Sequence, residues 1–92
     1  MTNYIRKLLN DAQAQGFHMT VHGGGEGPDY TGYHPAEAEE AINAVEEAEL
    51  ELHLDNVKTG WALIIDGVAP DERIADCGSG DWIDNWSKEN IQ

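Results

Sequence analysis

Apolar and polar residues alternate strictly between positions 49 and 55, and this pattern constrains the fold more than any other feature of the chain. The apolar positions are Leu50, Leu52 and Leu54, and the polar ones are Glu49, Glu51, His53 and Asp55. Such alternation predicts a strand with one apolar face and one charged face. We therefore expect Leu52 to be buried and Glu51 to be exposed, in a sheet covered on one face by helices.

The residues that follow predict an antiparallel meander. Residues 56–60 supply a turn, and the apolar run Trp61–Ile65 is a second strand that forms a hairpin with the first. Residues 67–71 break the chain again, and residues 72–77 continue the meander as a further strand.

Helical and strand periods also mark the first quarter of the chain. Apolar residues recur at helical spacing from Tyr4 to Ala12, with Thr2 or Asn3 as the cap and Gly16 at the end. Residues 17–22 then alternate, with Phe17, Met19 and Val21 on the apolar face of a strand.

Two more helices complete the predicted order. One begins at Pro35 and runs to Glu47, with an apolar stripe formed by Ala38, Ala41, Ile42, Val45 and Ala48. The last is capped by Ser79 and carries Trp82, Ile83 and Trp86 on one side. Core packing is the favoured role for all three tryptophans, Trp61 included. The prediction is a single α+β domain over residues 1–92, in the order αβαβββα with the helices packed on one face.

Charge restricts the partners of this domain. The chain has 18 acidic residues against 5 basic ones, and no Lys or Arg occurs from Leu8 through Val57. Nucleic acid and anionic membranes bind through Lys and Arg, so both are excluded as direct partners. A basic protein surface is the natural complement. The alternative is an acidic surface that serves only solubility, although such surfaces usually intersperse both signs.

No pattern of residues predicts catalysis, a metal or a cofactor. The glycine-rich segment 23–29 lacks the lysine of a phosphate loop, and His18 and His22 are separated by about 13 Å along a strand. Cys77, Ser79 and Ser87 have no histidine near them in sequence. The lone cysteine, the absence of a signal segment and the absence of a long apolar stretch favour a cytoplasmic protein without membrane attachment.

The acidic residues form the candidate partner-binding site. Its members are Glu37, Glu39, Glu40, Glu46 and Glu47 on the second helix and Glu49, Glu51 and Asp55 on the following strand. Alternate strand residues stand about 6.5 to 7 Å apart, close to the separation of successive nucleic-acid phosphates. Carboxylates at this spacing can take the place of phosphates in bidentate contacts with arginine.

Three segments bear on the class of protein: the opening Met1-Thr2-Asn3, the helix from Pro35 to Glu47 and the strand Trp61–Ile65. With this architecture and charge, the chain resembles the DNA-mimic inhibitors of bacteriophages, which include uracil-DNA glycosylase inhibitors and anti-CRISPR proteins. The Glu-Ser-Ile edge-strand motif of the glycosylase inhibitors has no counterpart in residues 17–22.

The resemblance implies a non-enzymatic inhibitor of a host nucleic-acid-binding defence protein, first a CRISPR effector complex and next a DNA glycosylase or restriction enzyme. The main alternative is a small acidic adaptor or subunit that associates through an apolar surface around Trp82 and Trp86. A third is a small-molecule-binding module with the glycine loop as its lid. Both a monomer and a homodimer remain open.

Overall fold

The computed structural model describes residues 3–69 and 72–91. The described residues form three helices and five strands. In chain order these are α1 (Tyr4–Ala14), β1 (His18–His22), β2 (Tyr30–Gly32), α2 (Pro35–Asn43), β3 (Glu47–Leu54), β4 (Val57–Ile65), β5 (Ile74–Gly78) and α3 (Asp81–Asn90). The predicted α+β class is confirmed, and the order gains one strand that the sequence pattern did not indicate.

The five strands form one sheet in the order β2-β1-β3-β4-β5, in which every neighbouring pair is antiparallel. The consecutive strands β3, β4 and β5 are the predicted meander. All three helices lie on the same face of this sheet, because their buried residues share one cluster with the inward side chains of β1, β3 and β4.

Period-two burial places the core on the predicted side of β3. Ala48, Leu50 and Leu52 are each no more than 1% exposed, and the residues between them point to the opposite face. The helices contribute Ile5, Leu8, Leu9, Ala12, Ala38, Ile42, Ile83 and Trp86 to the same cluster. The predicted register of β3 is therefore confirmed.

Helix α2 is shorter than predicted. It begins at Pro35 as expected but ends at Asn43, so that Glu46 lies in a connection and Glu47 opens β3. Ala48, predicted to lie on the apolar stripe of the helix, instead faces the core from β3. Alanine and glutamate favour helix, but pairing of β3 with strands on both sides prevails over that local preference.

The hairpin turn is also tighter than predicted. Asp55 and Asn56 form it alone, with φ of 52° and 65°, and β4 begins at Val57. Positive φ at both central residues is typical of the two-residue turn that matches strand twist. The pairing of β3 with β4 shifts by one residue between Leu52 and His53, which is a β-bulge.

The remaining differences concern the ends of elements. The Asn3 side chain caps α1 by accepting from the Arg6 N–H at 2.9 Å, and Gly16 follows the helix with φ of 85°. Gly80, not Ser79, is the N-cap of α3. The last strand is Ile74–Gly78 rather than residues 72–77. The other candidate cap, Thr2, and the chain break at Pro70 and Asp71 lie outside the described residues.

Candidate protein-binding face

The face of the sheet opposite the helices is covered by none of the described helices, and we call it the open face. Strand periodicity and register assign its side chains. They are Thr31 on β2, His18, Thr20 and His22 on β1, Glu47, Glu49, Glu51 and His53 on β3, Lys58, Trp61, Leu63 and Ile65 on β4, and Asp76 on β5. Most of the predicted strand glutamates therefore share one surface with apolar residues of the next strand.

Trp61 belongs to this face and not to the core, so its predicted position is wrong. It pairs across the sheet with Glu51, and its side chain is half-buried among open-face residues. Its indole Nε1–H donates to Ser79 Oγ at 3.0 Å. A Cβ placed on Gly78 would lie 3.5–3.6 Å from three atoms of the indole, so the ring lies directly against the backbone of β5.

The other two tryptophans pack on the helical side. Trp86 is 5% exposed and belongs to the core, as predicted. Trp82 is half-buried, and its ring lies 5.1 Å from that of Phe17. The apolar surface expected around these two residues is therefore largely used for packing.

Glu51 occupies the centre of the open face. It points away from the core as predicted, but it is only partly accessible, whereas the sequence predicted an exposed side chain. Its carboxylate accepts from His53 Nε2 at 3.1 Å and lies 3.4 Å from His22 Nε2. Lys58 Nζ approaches it at 3.6 Å, and only 21% of the Glu51 side chain is accessible. The four side chains form a compact cluster that neutralises this one glutamate from within the chain.

Burial and the surrounding cations act in opposite directions on Glu51. Burial raises the pKa of its carboxyl, but the hydrogen bond from His53 and the charges of Lys58 and His22 lower it by more. The net result is a pKa below the ordinary value of 4.5. Glu51 therefore stays ionised at neutral pH while its charge is largely screened by its neighbours.

Glu49 and Glu47 are freer than Glu51. The Glu49 side chain is 44% accessible, lies 3.7 Å from Lys58 Nζ and also contacts the Glu51 carboxyl. Glu47 is exposed at the beginning of β3, directly after the exposed Glu46. Asp55 is also exposed, but it lies in the turn at the far end of the hairpin.

The glutamates of α2 lie on the other side of the molecule. Ala38 and Ile42 pack into the core on the helical face of the sheet, so the polar side of α2 is separated from the open face by the sheet itself. Glu37 and Glu40 border a shallow depression beside β2. The two predicted groups of carboxylates therefore do not form one continuous surface.

Glu39 on α2 accepts hydrogen bonds from Arg6 on α1 and from its cap residue Asn3. Arg6 donates to it from Nε at 3.0 Å and from Nη2 at 3.2 Å, and Asn3 donates from Nδ2 at 3.1 Å. This bidentate pair joins α1 to α2. Glu39 is thus placed to hold two helices together, a role that the sequence pattern did not indicate.

The few cations of the chain are mostly engaged internally. Of the 5 Lys and Arg residues, four contact acceptors in the described part of the chain. Lys7 binds Asp11 at 2.9 Å, and Arg73 donates to the Ile65 carbonyl at 3.2 Å and to Asn43 at 3.0 Å. Most of the acidic surface is left without internal compensation.

The sequence pattern did not identify the apolar row Trp61, Leu63 and Ile65 as surface. Every position in the run 61–65 is apolar, so its composition does not reveal which residues face inward. One signal was present: if only one face of the sheet is covered, an entirely apolar strand must present alternate residues on the other. That reasoning would have predicted an apolar row beside the glutamates.

Two further properties of the described residues bear on function. No three or more of their His, Cys, Asp and Glu side chains are grouped in a way that could hold a metal ion. No helix within residues 3–69 and 72–91 has the length and apolar character needed to cross a membrane.

No protein-family model matches the chain, and neither the curated proteins nor the solved structures contain a match to it. The function must therefore be inferred from the residues and geometry of the open face.

Proposed function

We propose that this chain is a non-enzymatic inhibitor that binds the nucleic-acid-binding surface of a basic protein through its open face. The observation that carries the proposal is the row of outward glutamates on β3, of which Glu47 and Glu49 keep accessible carboxylates in a chain whose cations are mostly engaged elsewhere. The proposed interface is narrower than the sequence suggested, because the α2 glutamates face away from it.

Strand geometry supports the comparison with phosphates. Alternate side chains on β3 stand about 6.5 to 7 Å apart, and the pleat holds them in a line on a rigid sheet. Arginine guanidinium groups bind carboxylates and phosphates in the same bidentate geometry. The excess negative charge would also accelerate association with a basic target.

The proposed target is a nucleic-acid-binding protein of a host cell. The resemblance to phage DNA-mimic inhibitors favours a CRISPR effector first and a DNA glycosylase or restriction enzyme next. Such targets act inside the cell, so the proposed site of action is the cytoplasm. In the proposed complex the open face contacts the target protein directly, without nucleic acid or a membrane between them.

Charge reversal on the two faces of the molecule tests the proposal. The test variant is Glu47→Lys with Glu49→Lys on the open face, and the matched control is Glu37→Lys with Glu40→Lys on α2. Both change the net charge by the same amount. Displacement of fluorescent DNA from a purified CRISPR effector, glycosylase and restriction enzyme measures binding.

We expect the open-face variant to bind at least about thirtyfold more weakly, since losing one desolvated carboxylate–arginine contact costs about 2 kcal/mol or more. The α2 control should lose far less, through long-range attraction alone. Glu51 is left unchanged because a lysine there would meet His22, His53 and Lys58 together, whereas of these three only Lys58 forms an ion pair with Glu49. Equal weakening by both variants, with both melting normally, would rule out the open face as the interface.

The apolar row supports a second candidate function. Trp61, Leu63 and Ile65 lie half-buried on the open face, and such a row suits an adaptor that binds its partner by apolar contact. High salt distinguishes the two functions. A charge-mimic complex weakens steeply as salt rises, whereas an apolar interface does not.

A further inference from the structure

Each open-face glutamate of β3 stands directly opposite an apolar residue of β4. The pairs are Glu47 with Ile65, Glu49 with Leu63, and Glu51 with Trp61. Residues paired in this way across antiparallel strands have their Cβ atoms about 4.5 to 5.5 Å apart. The face therefore presents two parallel rows, one of carboxylates and one of apolar side chains.

We propose that this pair of rows recognises arginine side chains of the partner, the apolar row through the methylene stem and the carboxylates through the guanidinium group. The apolar stems lie along Leu63 and Ile65, the guanidinium groups reach Glu47 and Glu49, and one guanidinium stacks on the Trp61 indole. The inference rests on the proposed function and specifies the chemistry of its target: an arginine-bearing surface rather than any positive charge.

The combination of rows fits a long cationic side chain better than a simple cation. Lysine and arginine cover apolar surface with their stems while their heads stay with polar groups. A metal ion or a small inorganic cation has no stem and would leave the apolar row uncovered. The apolar row beside the carboxylates therefore adds contacts with the stem to those that the carboxylates make with the head.

Trp61 favours arginine over lysine. A planar guanidinium stacks on an indole and bonds a carboxylate at the same time, whereas an ammonium is a compact, strongly hydrated charge. The Trp61 ring is fixed in place by its hydrogen bond to Ser79 and by its contact with Gly78. A ring held in this way loses little side-chain freedom when a partner binds.

Charge also argues against a second copy of this chain as the occupant. Among the described residues, the open face carries the carboxylates of Glu47, Glu49 and Asp76 beside the compensated Glu51, and its lysine is Lys58. Two such faces brought together would place carboxylates against carboxylates in an interface that excludes water. An arginine-bearing partner instead offers the opposite charge to the same rows.

The test compares oligo-arginine and oligo-lysine peptides of equal length and charge, with binding measured by calorimetry and mapped by amide chemical shifts. We expect the arginine peptide to bind about two- to fivefold more tightly, as one exposed cation–π contact provides. The shift changes should lie on β3 and β4 and not on α2.

Trp61→Phe should keep the preference for arginine, because it keeps an aromatic face. Trp61→Leu should remove the preference, because it keeps only apolar area.

Leu63→Ser should weaken both peptides at low and high salt alike, because it shortens the apolar row without changing charge. Val68→Ala is the control for loss of exposed apolar area outside the open face, since Val68 is 40% exposed in the loop after β4. Equal affinity for the two peptides in the wild-type chain would overturn the arginine inference. The proposed function would survive that result if Glu47→Lys with Glu49→Lys still abolished displacement of DNA. Self-association that Leu63→Ser removes would overturn the inference in favour of a second copy.

Discussion

One acidic residue, Asp11 on α1, contributes directly to the stability of the core. Its carboxylate accepts from the Trp86 indole Nε1–H at 2.8 Å and from Lys7 Nζ at 2.9 Å. The hydrogen bond from Trp86, followed by that from Lys7, lowers the pKa of Asp11 below its ordinary value of 3.8, against an opposing effect of burial. Asp11 thus holds Trp86, the buried tryptophan of α3, to the first helix.

Replacing Asp11 should therefore destabilise the fold, and the loss should be larger for a residue that cannot accept the hydrogen bond from Trp86. We expect Asp11→Ala to lower the free energy of unfolding by about 1 kcal/mol, because it leaves the buried Trp86 N–H without its acceptor. Asp11→Asn should cost less, since its amide oxygen still accepts that hydrogen. Urea unfolding at neutral pH measures both, and equal losses would contradict a specific role for the hydrogen bond.

The same carboxylate should make stability depend on acid pH. Because the pKa is lowered on folding, its contribution is complete above the ordinary value of 3.8 and is lost as pH falls through the lower value of the folded state. The difference in stability between wild type and Asp11→Asn should therefore shrink in acid. A difference that stays constant down to the acid transition would show that the charge of Asp11 contributes nothing.

Among the elements, the hairpin of β3 and β4 decides which side chains reach the open face. Its turn holds Asp55 and Asn56 in left-handed conformations, which L-residues adopt only at some cost. Asparagine and aspartate tolerate this conformation better than most residues, and glycine tolerates it best. The strand pairing that sets the two rows depends on this two-residue turn.

Asn56 is accordingly a site where stability can be moved in both directions. Asn56→Gly should raise the free energy of unfolding by several tenths of a kcal/mol, since Asp-Gly is a favoured pair for this turn. Asn56→Ala should lower it by about 1 kcal/mol, because alanine has no side-chain compensation for positive φ. Thermal melts of both variants give the comparison. A stabilising alanine would mean that residue 56 does not adopt positive φ.

Elements with a clear period were predictable, and those without one were not. Helix α1 and strands β1 and β3 show regular apolar spacing, and their existence and buried faces were correctly predicted. The exceptions are on β3, where Leu54 is exposed and Glu51 is only partly accessible. Strand β2 has only three residues, too few for alternation to show, and it exists because β1 offers it an edge. The end of α2 at Asn43 depends on the pairing partners of β3, which local sequence does not specify.

At the scale of the whole molecule, negative charge is distributed over both sides while the binding site is proposed for one. The formal net charge of −13 arises from residues on the helical side as well as on the open face. The sequence predicted the acidic character and the β3 glutamates of the candidate site. It did not predict the separation of α2 from β3 by the sheet, because that separation follows from tertiary packing.

This distribution predicts opposite effects of salt on folding and on binding. Screening relieves repulsion among the uncompensated carboxylates, so rising sodium chloride should increase the melting temperature. The same screening should weaken the complex with a basic target. Melts and binding titrations over one salt series measure both. A melting temperature that falls with salt would show that internal ion pairs, and not repulsion, dominate the electrostatics of the fold.

The strict alternation of β3 separates the residues that fold the chain from those that meet its partner. Ala48, Leu50 and Leu52 are buried, while Glu47 and Glu49 point the other way and contribute nothing to the core. Substitutions at these two outward positions therefore carry little penalty in folding. A lineage carrying this chain could replace its recognition surface one residue at a time as its target diverged, on an unchanged scaffold.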